Sequence, residues 1–95
     1  MDFRRIVFSG HALRGLVRRG IPVRSVRTVL THGDIIAEYP HDQPFPSHLL
    51  LGFVDGGPIH VVAAYDEKTQ TYIIVTAYRP DPGLWSDDFR TRSEL

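Results

Sequence analysis

Hydrophobic residues in the first third of the chain recur every three or four positions, which is the period of an α-helix. Ser9 is a good N-cap and Gly20 a good stop, so the spacing predicts a helix between them. Its apolar arc holds Ala12, Leu13, Leu16 and Val17, and its polar arc holds His11, Arg14, Gly15, Arg18 and Arg19. The helix therefore has one face for a core and one basic edge.

A second helix is predicted to begin at Pro22 and to end near Gly33. One arc of this helix holds Val23, Val26, Val29 and Leu30. A strand would place these four residues on both of its faces, so their spacing favours a helix despite the poor helix propensity of valine and threonine.

Strand-like runs precede the first helix and follow the second. These runs are residues 3–8, 35–39, 49–54, 59–65 and 71–79. The proline-rich residues 41–47 predict an extended surface loop, residues 55–57 a hairpin turn and residues 66–70 a longer turn. The order of elements predicts an α+β fold in one domain, residues 1–95, with an N-terminal strand and two helices packed on a four- to five-stranded antiparallel meander.

Charge is distributed unevenly along the chain, although the formal net charge is zero. Residues 1–30 carry seven arginines against one aspartate, whereas residues 31–70 carry six acids against one lysine. One interpretation is a basic surface for an anionic partner, and the other is that acids and bases neutralise each other across the fold.

The composition narrows the class of protein. The chain has no cysteine, so it has neither a disulfide nor a cysteine metal site, and a reducing compartment fits it. No apolar run is long enough for a membrane span, and the N-terminal arginines are not followed by a signal-peptide apolar segment. We therefore expect a cytoplasmic protein that does not contact a membrane.

Several short motifs resemble those of one bacterial family. They are Ser9-Gly10-His11-Ala12 with Arg14, Arg19-Gly20-Ile21 with Val26, Gly33-Asp34-Ile35-Ile36, Tyr39-Pro40, Leu51-Gly52, Pro58-Ile59-His60-Val61-Val62 and Thr76-Ala77-Tyr78, followed by Pro80 and Trp85. On these motifs, nearly the whole chain is similar to the family called domain of unknown function 4258.

More distantly, the order of elements resembles the RelE/ParE toxins, and BrnT in particular. Arg18-Arg19-Gly20-Ile21 is similar to a Lys-His-Gly-Val segment of BrnT, and Thr76-Ala77-Tyr78-Arg79 to a Ser-Ala-Arg pattern. This resemblance implies a RelE/BrnT-like fold and a ribonuclease that acts on messenger RNA, often on the ribosome, and is silenced by an antitoxin. ParE-like members act on gyrase instead. The basic C-terminal helix of BrnT-like chains is replaced here by the acidic residues 81–88.

Candidate site residues follow from the chemistry of metal-independent RNA cleavage, which needs a base, an acid and fixed positive charge. The candidate catalytic residues are His11, His60, Tyr78 and Arg79, and the candidate phosphate contacts are Arg14, Arg18 and Arg19. The alternative for His60 is a core position, and for Tyr78 it is packing. The five histidines include no close-spaced pair, so neither a metal site nor a cofactor is predicted.

Two functions fit these residues best, ahead of other enzymes, including metal-dependent ones. The first is a toxin-like domain that binds RNA, alone or on the ribosome, and acts as an endoribonuclease. The alternative is a noncatalytic module of the same fold that binds an antitoxin or another protein through its basic edge and open sheet face.

The C-terminal residues are too apolar for a free acidic tail. We expect Leu84, Trp85 and Phe89 to fold back, so that Trp85 is buried against the sheet. Asp87 and Asp88 would then lie near the basic residues and occupy a phosphate site.

Overall fold

The computed structural model of the protein describes residues 2–93. Its elements are β1 Arg5–Phe8, α1 Gly10–Arg19, α2 Val23–His32, β2 Asp34–Tyr39, β3 Ser47–Val54, β4 Gly57–Asp66 and β5 Thr71–Tyr78. The strands form one mixed sheet in the order β1-β5-β4-β3-β2. The predicted α+β class is confirmed. None of the helices within residues 2–93 has the length and apolar character needed to cross a membrane.

The N-terminal strand pairs with the sheet in parallel, whereas the predicted sheet was an antiparallel meander. Strands β2 to β5 do form that meander, with Leu50 opposite Val61 and Val61 opposite Ala77. However, β1 pairs in parallel with β5, so that Phe8 lies opposite Ile74. A parallel neighbour requires a long crossover connection, which both helices and three strands supply here.

Both ends of α1 are capped as the sequence predicts. The Ser9 side chain accepts a hydrogen bond from the backbone N–H of Ala12 at 3.0 Å. Gly20 ends the helix in the left-handed conformation, with φ of 64°, and its N–H donates to the carbonyls of Leu16 and Val17. Glycine reaches this conformation without strain, so it fixes where the helix stops.

The buried face of α1 is rotated from the predicted arc. Ala12 and Leu16 are buried as predicted, but Leu13 is 40 % exposed and Val17 is 81 % exposed. Gly15, which the prediction placed on the polar arc, is buried instead. Because Gly15 has no side chain, this side of the helix can approach the sheet closely, and the two large apolar residues turn toward solvent.

α2 packs on β3 and β4 through most of its predicted arc. Val26, Val29 and Leu30 are buried, whereas Val23 in the first turn is exposed. Gly52 of β3 lies directly beneath this helix: a Cβ there would be only 2.8 Å from Cγ2 of Val29. A glycine is therefore required where α2 and the sheet approach each other.

The core lies between the helices and one face of the sheet, which we call the helix face. Strand residues that point there alternate with residues that point to the opposite side, which we call the tail face. The buried core consists of Ala12, Leu16, Ile21, Val26, Val29, Leu30, Leu50, Ile59, Val61, Ala63, Tyr72, Ile74 and Ala77.

The C-terminal residues 81–93, which we call the tail, lie on the tail face. Backbone hydrogen bonds at 2.8 Å join Ser86 to Thr91 and Ser93 to Leu84, so the tail is closed on itself. The ring centroid of Trp85 lies 4.4 Å from that of His60 in β4. Trp85 therefore folds back against the sheet as predicted, but it is half-buried and Leu84 is exposed, so the expected burial is only partial.

Candidate functional site

The outer surface of the two helices carries positive charge that forms no ion pair with a carboxylate of residues 2–93. Residues 3–33 contain seven arginines and neither aspartate nor glutamate. Within residues 2–93, the one ion pair joins Arg90 and Asp34, both outside the helices. Four exposed arginines, two on each helix, make up what we call the arginine surface: Arg14, Arg18, Arg24 and Arg27.

The three predicted phosphate contacts on α1 differ in whether their guanidinium groups already bind another part of the protein. Nη1 of Arg19 lies 2.7 Å from the position that a Cβ on Gly15 would take, and it donates to the carbonyl of Ala77 at 3.4 Å. Arg14 and Arg18 make no hydrogen bond to any residue that the structure describes. Arg19 is therefore tied to the sheet, whereas the guanidinium groups of Arg14 and Arg18 are available to a ligand.

Arg79, a candidate catalytic residue, caps α1. Its Nη1 donates to the carbonyl of Arg19 at 2.6 Å and its Nη2 to that of Gly20 at 3.1 Å. The last carbonyls of a helix have no partner within it and carry partial negative charge, so a guanidinium fork is a suitable partner. The position of Arg79 is explained by this structural contact.

His60 and Tyr78 meet on the tail face, where they are opposite each other on β4 and β5. Nδ1 of His60 lies 3.2 Å from the Tyr78 hydroxyl, and Nε2 lies 2.8 Å from the carbonyl of Phe89. A carbonyl only accepts, so Nε2 carries the proton and Nδ1 accepts from Tyr78. His60 is 0 % exposed. Both ring nitrogens are thus occupied beneath the tail.

Burial determines the charge of this pair. It lowers the pKa of His60 from its usual value of 6.5, although the hydrogen bond to Phe89 opposes the shift. Burial also raises the pKa of Tyr78 above its usual value of 10.0. Both side chains are therefore neutral near pH 7.

The predicted catalytic residues do not converge on one site. His11 is exposed in the first turn of α1, and Arg79 contacts the end of the same helix, on the helix face. His60 and Tyr78 lie on the other face, so the sheet separates the two pairs. A general base and a general acid at His11 and His60 cannot act on the same phosphate in this arrangement.

The acidic residues of the tail do not approach the arginine surface. The carboxylate of Asp88 accepts hydrogen bonds from the Ser86 hydroxyl and from the backbone N–H of Arg90, and Asp87 is exposed. The hydrogen bond from Ser86 is the main reason that the pKa of Asp88 is lowered. The expectation that these aspartates occupy a phosphate site is therefore wrong, because the tail lies on the opposite side of the sheet.

A groove that the sequence did not reveal lies beside the start of β3. Its volume is about 520 Å³, and the buried His48 forms part of its wall. The spacing of the five histidines bears only on metal binding and predicts no role for His48. Its position directly before the apolar run of residues 49–54 was the signal for a buried, hydrogen-bonded imidazole. Within residues 2–93, no group of three or more histidine, aspartate or glutamate side chains could hold a metal ion.

Comparison with known proteins gives one match. A family model described as "Domain of unknown function (DUF4258)" matches residues 8–79. This range contains every helix and strand except the first three residues of β1, and it stops before the tail. No curated protein and no solved structure matches the chain.

Proposed function

This chain belongs to the DUF4258 family, and from that starting point we propose that it binds RNA through the arginine surface of its two helices. The observation that carries the proposal is that the four arginines of this surface are exposed and have no carboxylate partner within residues 2–93. An arginine that pairs with no acid of its own fold keeps all of its hydrogen-bonding capacity for a ligand.

Arginine is well suited to phosphate. Its guanidinium is always charged near neutral pH and presents a planar fork that matches two phosphate oxygens. Phosphate contacts release counterions from the nucleic acid, which gives affinity without sequence preference. The zero net charge of the whole chain does not oppose this, because α1 and α2 contain no acidic residue that would repel a phosphate.

The resemblance to RelE/ParE toxins supports RNA as the anionic partner, and the cytoplasm as the compartment in which the two meet. The proposal covers binding and does not include cleavage by His11 or His60. Those two histidines lie on opposite faces of the sheet, and His60 has both ring nitrogens occupied.

The test measures the affinity for an unstructured single-stranded RNA by fluorescence anisotropy over a range of salt concentrations. Replacing Arg14 and Arg18 by alanine should weaken binding and reduce the slope of log affinity against log salt by about 1.4, since each phosphate contact on a single strand contributes about 0.7. The matched control is Arg4→Ala with Arg5→Ala, which removes the same charge from exposed positions outside the arginine surface.

The control variant should keep nearly the wild-type slope. If both double variants lose affinity equally, net charge alone governs binding and the arginine surface is not the site. An unchanged slope in the Arg14/Arg18 variant would contradict the proposal directly.

One observation favours the second function, a protein partner such as an antitoxin. Val17 is 81 % exposed and lies between Arg14 and Arg18 in the sequence, and Leu13 is 40 % exposed on the same helix. Apolar residues among arginines suit an acidic amphipathic segment better than a phosphate backbone. Val17→Ser separates the two functions, because it removes apolar contact area and should leave the affinity for RNA unchanged.

A further inference from the structure

The groove beside β3 combines a volume and a lining that are typical of small-molecule sites. Its volume of about 520 Å³ falls within the common range for such sites, about 300 to 1,000 Å³. Phe45 and Pro46 from the loop before β3, and Tyr65 from the end of β4, supply apolar and aromatic walls. None of the residues that line the groove belongs to α1 or α2, so it is separate from the arginine surface.

His48 gives this groove a polar group that is not fully used. The side chain is only 4 % exposed, and its Nε2 lies 2.9 Å from the Tyr72 hydroxyl. No hydrogen bond from residues 2–93 reaches Nδ1. Within the same residues, every buried side-chain nitrogen or oxygen atom has a hydrogen-bond partner. Nδ1 is therefore not sealed in the core, and the groove that His48 lines is its route to a ligand.

The charge around the groove is negative. Glu38, Asp66 and Glu67 lie on its rim with one cation, Lys68. One oxygen of Asp66 accepts the backbone N–H of Lys68, and the other carries no hydrogen bond from residues 2–93. Burial lowers the pKa of His48, against the opposing effect of Glu38, so its imidazole adds no positive charge near pH 7. The rim therefore favours a cation and disfavours a phosphate.

We propose that this groove binds a small organic cation in which an amidinium or guanidinium group is attached to a flat apolar body. The carboxylates of Glu38 and Glu67 attract the cationic head, and Nδ1 of His48 accepts one of its N–H groups. Phe45 and Tyr65 contact the apolar body. For Nδ1 to accept, Nε2 must carry the proton and donate it to the Tyr72 hydroxyl, and the 2.9 Å contact permits this.

The test uses benzamidine, a planar aromatic cation, and benzamide, its neutral counterpart of nearly the same shape. Each is titrated into the full-length protein, and binding is followed by two-dimensional ¹H–¹⁵N NMR of the backbone amides and of the histidine rings. Benzamidine should shift the amides of residues 38, 45–48 and 65–68 and the Nδ1 resonance of His48. Benzamide should bind much more weakly at the same residues.

Variants of the rim test the role of charge. Glu38→Gln with Glu67→Gln should weaken benzamidine binding, by about two- to fivefold for each exposed carboxylate removed. Asp55→Asn with Asp87→Asn removes the same charge from exposed positions outside the groove and should leave the affinity unchanged. All four positions are exposed, so these variants should fold.

Three results would overturn the proposal. Benzamidine could produce no shift up to its solubility limit, or shift residues on the helices or the tail instead. Benzamide could bind as tightly as benzamidine, which would show that the groove selects an aromatic ring and not a cation. Equal weakening in the two double variants would show that the overall charge of the protein, and not this rim, attracts the ligand.

Discussion

Two histidine–tyrosine pairs, one on each face of the sheet, consist of side chains that are uncharged near neutral pH. His60 contacts Tyr78 on the tail face, and His48 contacts Tyr72 on the helix face. Burial lowers the pKa of both histidines and raises the pKa of both tyrosines. Positive charge for an anionic ligand therefore comes from the exposed arginines, and these imidazoles act as hydrogen-bonding groups.

The lowered pKa of His60 predicts a loss of stability in mild acid. In the unfolded chain His60 binds a proton as the pH falls below about 6.5, whereas the folded protein resists it. The free energy of unfolding should therefore be level above this pH and should decrease below it, until the folded pKa is passed. Urea unfolding between about pH 5.5 and 7.5 measures the effect, above the usual range of the carboxylates.

Two variants show which histidine causes this pH dependence of the free energy of unfolding. His60→Gln removes the titrating group but keeps an N–H for the carbonyl of Phe89, so the decrease between neutral and mildly acidic pH should become smaller. His48→Gln should reduce it as well, because burial lowers the pKa of His48 too. A variant that kept the wild-type decrease would show that its histidine is not held neutral by burial.

At the scale of elements, Arg79 links the last strand to the first helix. It follows β5 directly and donates to the carbonyls of Arg19, the last residue of α1, and of Gly20, its C-cap. Carbonyls at the end of a helix have no partner within the helix. Arg79→Ala should lower the free energy of unfolding by about 1 kcal/mol, through the loss of charge-assisted hydrogen bonds and of the interaction with the helix dipole.

The replacement Arg79→Lys is the matched control in urea unfolding. Lysine keeps the charge but not the planar fork that reaches two carbonyls at once, so its effect should be intermediate. Wild-type stability in Arg79→Ala would mean that the cap contributes nothing. A loss of RNA affinity without a loss of stability would show that Arg79 contacts the ligand and does not act only as a helix cap.

The elements that the sequence predicted well are those with local signals. Ser9 and Gly20 define the ends of α1 through contacts with residues no more than four positions away. The parallel pairing of β1 with β5 was missed because it joins residues more than sixty positions apart. The exposure of Val17 was missed because helical spacing places Gly15 on the same arc as the arginines. In the fold, Gly15 has no side chain to keep α1 away from the sheet, so the helix packs on the side that contains Gly15.

The candidate site was predictable to the same degree. The basic edge of α1 was visible because Arg14 and Arg18 are close in sequence. The capping role of Arg79 and the groove beside His48 each depend on segments that only the fold brings together. Sequence spacing therefore identifies which residues carry charge, but not which of them are already used by the structure.

At the scale of the whole molecule, the sheet separates two surfaces of different character. The arginine surface lies on the helix face, and the tail covers His60 on the opposite face. The family match ends at residue 79, so the covering tail is outside the matched region. Residues 8–79, which the family model matches, therefore form both faces of the sheet, and the tail beyond them covers the tail face.

Trp85→Ala tests whether the tail is only a structural cover. Trp85 is half-buried, so the loss of its indole should cost less than the loss of a fully buried one. We expect the free energy of unfolding to decrease by about 2 kcal/mol. Without the indole against its ring, His60 becomes more hydrated, so its pKa should rise toward 6.5 in an NMR titration. The charge of the protein is unchanged, so the affinity of the arginine surface for RNA should be unchanged as well.

The adjacent substitution Leu84→Ala is the control for this experiment, since the Leu84 side chain is 45 % exposed and the ring that packs on His60 is that of Trp85. It should leave both the stability and the pKa of His60 close to wild type. If Trp85→Ala instead raised the affinity for RNA, the tail would be masking a second binding surface that includes His60 and Tyr78. Because helix-face binding cannot produce such a gain, this outcome would move the RNA site from the helices to the sheet.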